Sequence, residues 1–78
     1  MYLITFHSNF DANMFNKKMS PFGTLKRRPV PRELSSSCGT CFEFSPNVEN
    51  TISEMDKLKY EAIYEIENGK YIKIKECE

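Results

Sequence analysis

Tyr60-Glu61-Ala62-Ile63-Tyr64-Glu65-Ile66-Glu67-Asn68-Gly69-Lys70-Tyr71-Ile72-Lys73-Ile74-Lys75 is the stretch that decides the fold. Its first half fits two periods. Ile52, Met55, Leu58, Ala62, Ile63 and Ile66 lie on one stripe of a helix running to Glu67, whereas Tyr60, Ala62, Tyr64 and Ile66 alternate with glutamates at period two, broken only by Ile63. Asn68-Gly69 breaks the tie, because Asn-Gly between β-type residues is a strong hairpin signal. Register follows from sorting the faces. A two-residue loop would set Glu65 against Ile72 and Tyr64 against Lys73, mixing charged and apolar groups. A three-residue loop Glu67-Asn68-Gly69 pairs Ile66 with Lys70, Tyr64 with Ile72 and Ala62 with Ile74, and separates the faces. The expectation is a hairpin with that three-residue turn.

Working back from the hairpin, Ser45-Pro46 has the character of a helix start, and Val48, Ile52, Met55 and Leu58 follow as an apolar stripe. This segment is expected to be the principal helix. Before it, Thr40-Cys41-Phe42-Glu43-Phe44 alternates as a strand, with Phe42 and Phe44 on one face and Cys41 on the other. Tyr2 to His7 is β-branched and aromatic with apolar groups on both faces, as in a central strand. Asn9 or Asp11 is placed to cap a short helix carrying Phe10, Met14 and Phe15 on one side, which Ser20-Pro21 would end. Residues 17–37 contain three prolines and no periodicity, and read as a long basic loop, extended at Arg28-Pro29-Val30-Pro31-Arg32. The fold class expected is α+β: a small antiparallel or mixed sheet of about four strands, one principal helix and the C-terminal hairpin. All 78 residues are expected to form one domain.

Hydrophobic residues at 40% and charged residues at 28% suit a folded chain rather than a disordered one. The neutral total conceals a division. Residues 1–32 hold six cations against Asp11 alone, for +5, and residues 33–78 hold five against ten acids, for −5. No apolar run is long enough for a membrane span, and the opening residues Met1 to Asp11 lack the basic and small-residue features of a signal peptide. A cytoplasmic protein is expected.

Cys38-Gly39-Thr40-Cys41 is the sharpest local motif. Two thiols at this spacing can clasp a metal or close a disulfide. The motif runs into a strand, whereas a thioredoxin-type pair starts a helix. Zinc needs four ligands, and Cys38, Cys41, Cys77 and His7 are the one set the chain supplies, without the second short-spaced pair typical of such sites. The expected state is reduced thiols with no metal or other cofactor. His7 has no evident catalytic partners, and the three glycines are too scattered for a phosphate loop. A chain this short has little room for a catalytic cleft, so no enzymatic activity is expected.

The basic segment is the remaining functional feature. Lys17, Lys18, Lys26, Arg27, Arg28 and Arg32 are interleaved with Phe22 and Leu25 and no acid intervenes. These eight residues form the candidate partner-binding set, with the arginines as polar contacts and Phe22 and Leu25 as apolar anchors. In size and composition the chain is similar to accessory proteins of bacteriophages. The function expected is therefore a non-enzymatic protein-binding module, a small phage-type inhibitor or modulator of a host enzyme or defence complex. The alternatives are nucleic-acid binding through residues 17–32, or a small zinc-binding domain.

Overall fold

A computed structural model describes residues 1–34, 36, 38–49 and 51–76. Among these residues, five strands and two helices follow one another: β1 (Tyr2–Thr5), α1 (Asn9–Met19), a 3-10 turn (Ser20–Phe22), β2 (Gly23–Pro29), β3 (Thr40–Pro46), α2 (Thr51–Met55), β4 (Ala62–Glu67) and β5 (Lys70–Glu76). The sheet order is β2-β3-β1-β4-β5, with every neighbouring pair antiparallel. β1 and β2 run parallel with β3 between them, and β3 and β4 run parallel with β1 between them. This is the split βαβ connectivity of ferredoxin-like sheets, lengthened by β5 at one edge.

The central strand carries apolar groups to both faces, as its composition predicts. On one face Ile4 and Phe6 join Phe42, Phe44 and Ile63 beneath Ala12, Phe15 and Met19 of α1 and Met55 of α2. On the other, Leu3, Cys41, Ala62 and Tyr64 are covered by Val30, Leu34, Ile66 and Tyr71. A short chain thus builds two thin apolar layers around one sheet. Lys75 donates to Asp56 Oδ2 at 2.5 Å and the Tyr60 hydroxyl donates to Oδ1 at 2.7 Å. These bonds, Lys75 first, hold the Asp56 carboxyl below its ordinary range and tie the end of α2 to β5.

Several expectations are corrected. The principal helix is α1, not the segment after Ser45-Pro46: β3 claims Ser45 and Pro46 for pairing with Thr24 and Gly23, so α2 is five residues long. Ser8, not Asn9 or Asp11, caps α1, accepting from Asp11 N–H at 3.2 Å. Phe15 is buried, but Phe10 and Met14 remain exposed. Most of the expected basic loop is ordered as secondary structure. Lys17 and Lys18 close α1, and Gly23–Pro29 forms edge strand β2. The described residues of that stretch after Pro29, namely Val30 to Leu34 and Ser36, belong to no helix or strand.

The hairpin forms where expected, with a different turn. Asn68 and Gly69 adopt φ 51° and 77°, and Glu67 pairs with Lys70 across a two-residue loop. Positive φ at both positions is the type I′ geometry that matches strand twist. The resulting pairs Glu65–Ile72 and Tyr64–Lys73 are tolerated on an edge strand, where Lys73 lies over the Tyr64 ring at 5.8 Å. A bulge between Ile63 and Tyr64 then resets the register. Gly69→Val is expected to cost about 1–2 kcal/mol, because a β-branched residue resists this left-handed conformation. Urea unfolding beside a Lys70→Val control checks it.

Candidate functional site

The connection from β2 to β3 is closed at its base by Val30 N–H donating to Gly39 O at 3.3 Å. Within it Leu34 N–H donates to Pro31 O, while the Val30 and Leu34 side chains seal one sheet face. Ser36 Oγ donates to Phe6 O at 3.0 Å, fastening the segment to the exit of β1. Cys38 lies two residues on, partly buried against the helix-side cluster. Its Sγ–H donates to Thr40 O at 3.3 Å, and Ser36 Oγ stands 4.0 Å from the sulfur. Gly39, at φ 72°, turns the chain into β3. The outcome is a partly buried thiol held by Thr40 O and close to Ser36.

Cys41 is a different thiol. It sits inside β3, opposite Thr5 of β1 and Arg28 of β2, with no exposed surface. Its side chain joins the cluster on the face away from the helices, and Sγ–H donates to Pro29 O at 3.6 Å. Burial above all, then the Glu43 carboxylate and the charge of Cys38, push its pKa up to about 11, against a smaller opposing pull from Arg28. At neutral pH Cys41 is therefore held as the thiol. Both thiols are free.

The raised pKa has a consequence for stability. Below pH 9.0, the ordinary thiol value, Cys41 is protonated folded or unfolded. Between pH 9.0 and about 11 the unfolded chain ionises while the folded chain keeps its proton, so stability falls as pH rises. The loss is about 2–3 kcal/mol for this group. It should appear as the difference between the wild-type and Cys41→Ala stability curves over that range.

The alternative zinc set is not assembled among the described residues. No group of three His, Cys, Asp or Glu side chains there is placed to hold a metal. Cys41 faces away from the Cys38 cluster. His7 follows β1 in an exposed position, with Nδ1 3.5 Å from Glu61 Oε2. Cys77, read as a candidate ligand at the end of the last strand, lies outside the described residues.

The basic set is dispersed. Lys17 and Lys18 stand in the last turn of α1, where cations suit the helix dipole. Phe22 and Leu25, expected as partner anchors, are partly buried against the helix-side core. Arg27 and Arg28 point to opposite faces of β2. Arg27 bonds Asn13 Oδ1 at 2.6 Å and stacks over Phe42, while Arg28 pairs with Glu43. Lys26 and Arg32 remain exposed. Among the described residues, no helix is long and apolar enough to cross a membrane. What sequence reading missed is the role of Ser36, whose only signal was the serine run beside Cys38.

A family model described as "Putative Se/S carrier protein-like" matches residues 1–65. No curated protein and no solved structure matches the chain. The matched span takes in β1 through most of β4, with Cys38 and Cys41, and stops short of the Asn68-Gly69 turn and β5.

Proposed function

The chain belongs to the Se/S carrier protein-like family, and on that premise we propose that it carries a sulfur or selenium atom on Cys38. One observation supports the choice of residue: of the two described thiols, Cys38 is partly exposed and Cys41 is fully enclosed. A carrier thiol must meet both a donor and an acceptor, so it has to be reachable. Because Ser36 and the β3 turn hold it in place, the loop presents the sulfur without a large entropic cost on docking.

Loading is a sulfur-to-sulfur exchange. The Cys38 thiolate attacks the outer sulfur of a donor persulfide, that sulfur's bond to the donor breaks, and the donor departs as a thiolate. Cys38 is left as a persulfide. With selenium the outer atom is Se and the same bonds form and break. The fold supplies position and access, and no acid–base pair is required of it. This makes the protein a stoichiometric carrier rather than an enzyme. The expectation of a protein-binding module suits such a role, since donor and acceptor must both dock. The host-inhibitor version of that expectation gains no residue-level support.

The test is to expose the protein to glutathione persulfide and record its intact mass. A gain of one sulfur atom, removed by dithiothreitol, is expected. An unchanged mass under conditions that load a free-thiol control peptide contradicts the proposal.

A further inference from the structure

We infer that Cys41 does not resolve an adduct on Cys38, so whatever reaction consumes the carried atom must bring its own nucleophile. The claim rests on the carrier reading for its consequence, but on the geometry of two thiols for its substance.

A Cys-x-x-Cys pair invites the opposite view. In that route Cys41 sulfur attacks Cys38 Sγ, the outer sulfur leaves as hydrosulfide, and a Cys38–Cys41 disulfide remains. Such a bond needs the two Cα atoms within about 7 Å and the Cβ vectors turned toward each other. Here the side chains diverge. Cys38 packs with the helix-side cluster that contains Phe6 and Phe42. Cys41, the neighbour of Phe42 on β3, points through to Leu3, Ala62 and Tyr64 on the other face. The backbone of β3 lies between them, paired on one side with β1 and on the other with β2. Cys41 is also capped by Pro29 O and has no exposed surface. Bringing the sulfurs together means stripping the start of β3 from both neighbours. Burial that keeps Cys41 protonated at neutral pH works in the same direction.

The loaded protein therefore holds its atom instead of venting it. Delivery occurs when a thiolate of the acceptor attacks the outer sulfur and takes it as its own persulfide, and Cys38 departs as a thiolate. The consuming step belongs to the class of reactions in which the acceptor supplies the attacking group.

The test uses oxidised glutathione on the full chain in a Cys77→Ser background, which removes the third thiol from competition. Cys38 displaces one glutathione and becomes a mixed disulfide. In the folded protein this adduct is expected to persist, decaying roughly a hundredfold more slowly than in urea, where Cys41 is released to attack and glutathione leaves. Equal decay rates with and without urea, with a Cys38–Cys41 disulfide as the product, overturn the inference. The same variant loaded from glutathione persulfide should release hydrosulfide no faster than one that also carries Cys41→Ala. Faster release that depends on Cys41 overturns it as well. If the glutathione adduct persists but no persulfide forms, the carrier reading has failed and the division of the thiols has held.

Discussion

Phe6→Ala is expected to lower stability by about 3–5 kcal/mol, the usual cost of emptying a large aromatic site in a core. Phe6 is fully enclosed and touches Phe15 and Phe42 edge-on, with ring centroids 5.2 Å and 6.0 Å away. It therefore joins β1, α1 and β3 in one contact. A domain of 78 residues has roughly 4–12 kcal/mol to lose, so the variant should melt more than about 12 °C lower or fail to fold. Its backbone carbonyl also receives the Ser36 hydroxyl, so loosening the end of β1 loosens the Cys38 loop. Phe10→Ala is the matched control. Phe10 is 71% exposed, and its removal should change stability by no more than about 0.5 kcal/mol. Thermal or urea unfolding of the two variants side by side gives the answer. Similar losses in both would mean that the core is not where β1, α1 and β3 meet.

The second large effect concerns function. In a Cys77→Ser background, Cys38→Ser should abolish loading while leaving the melting temperature close to that of the parent, because a hydroxyl can still donate to Thr40 O but cannot exchange with a persulfide. Cys41→Ala should do the reverse. It empties a small enclosed site in the face opposite the helices and removes the bond to Pro29 O, at a cost of about 1–2 kcal/mol, yet it leaves Cys38 reachable. Intact mass after treatment with glutathione persulfide, paired with a melting curve for each variant, separates the two. Loading lost in Cys41→Ala and kept in Cys38→Ser would assign the carrier role to the wrong thiol.

Much of this architecture is legible in the residues themselves. Tyr2–Thr5 shows apolar groups on both faces because it is the central strand. Phe42 and Phe44 alternate with Cys41 because β3 has a core on each side. Asn68-Gly69 marks the hairpin because few residues other than asparagine and glycine accept two successive positive φ values. The failures have physical reasons too. β2 carries Lys26, Arg27 and Arg28 on an edge, where the ladder to β3 and contacts with Phe42 and Glu43 hold it, so no alternation of apolar residues announces it. Ser45-Pro46 fits a helix start locally, yet pairing with β2 wins. Sorting the faces argues against a two-residue turn, yet the edge strand accepts mixed pairs on both sides of the bulge, Tyr64 with Lys73 and Ile63 with Lys75. At the site, the Cys38–Cys41 spacing is visible at once. That the pair is divided depends on Gly39 turning the chain and on Ser36 reaching Phe6, and spacing alone records neither contact.

The carried atom should sit on one sulfur, and fragment-ion mass spectrometry can say which. Tryptic cleavage leaves Cys38 and Cys41 together on the peptide from Glu33 to Lys57, so the loaded protein is alkylated, digested, and the peptide broken between the two cysteines. The extra sulfur, or selenium, is expected on the fragment that contains Cys38, with Cys41 carrying no added atom. The same mass found on Cys41, or shared equally between the two, would contradict it.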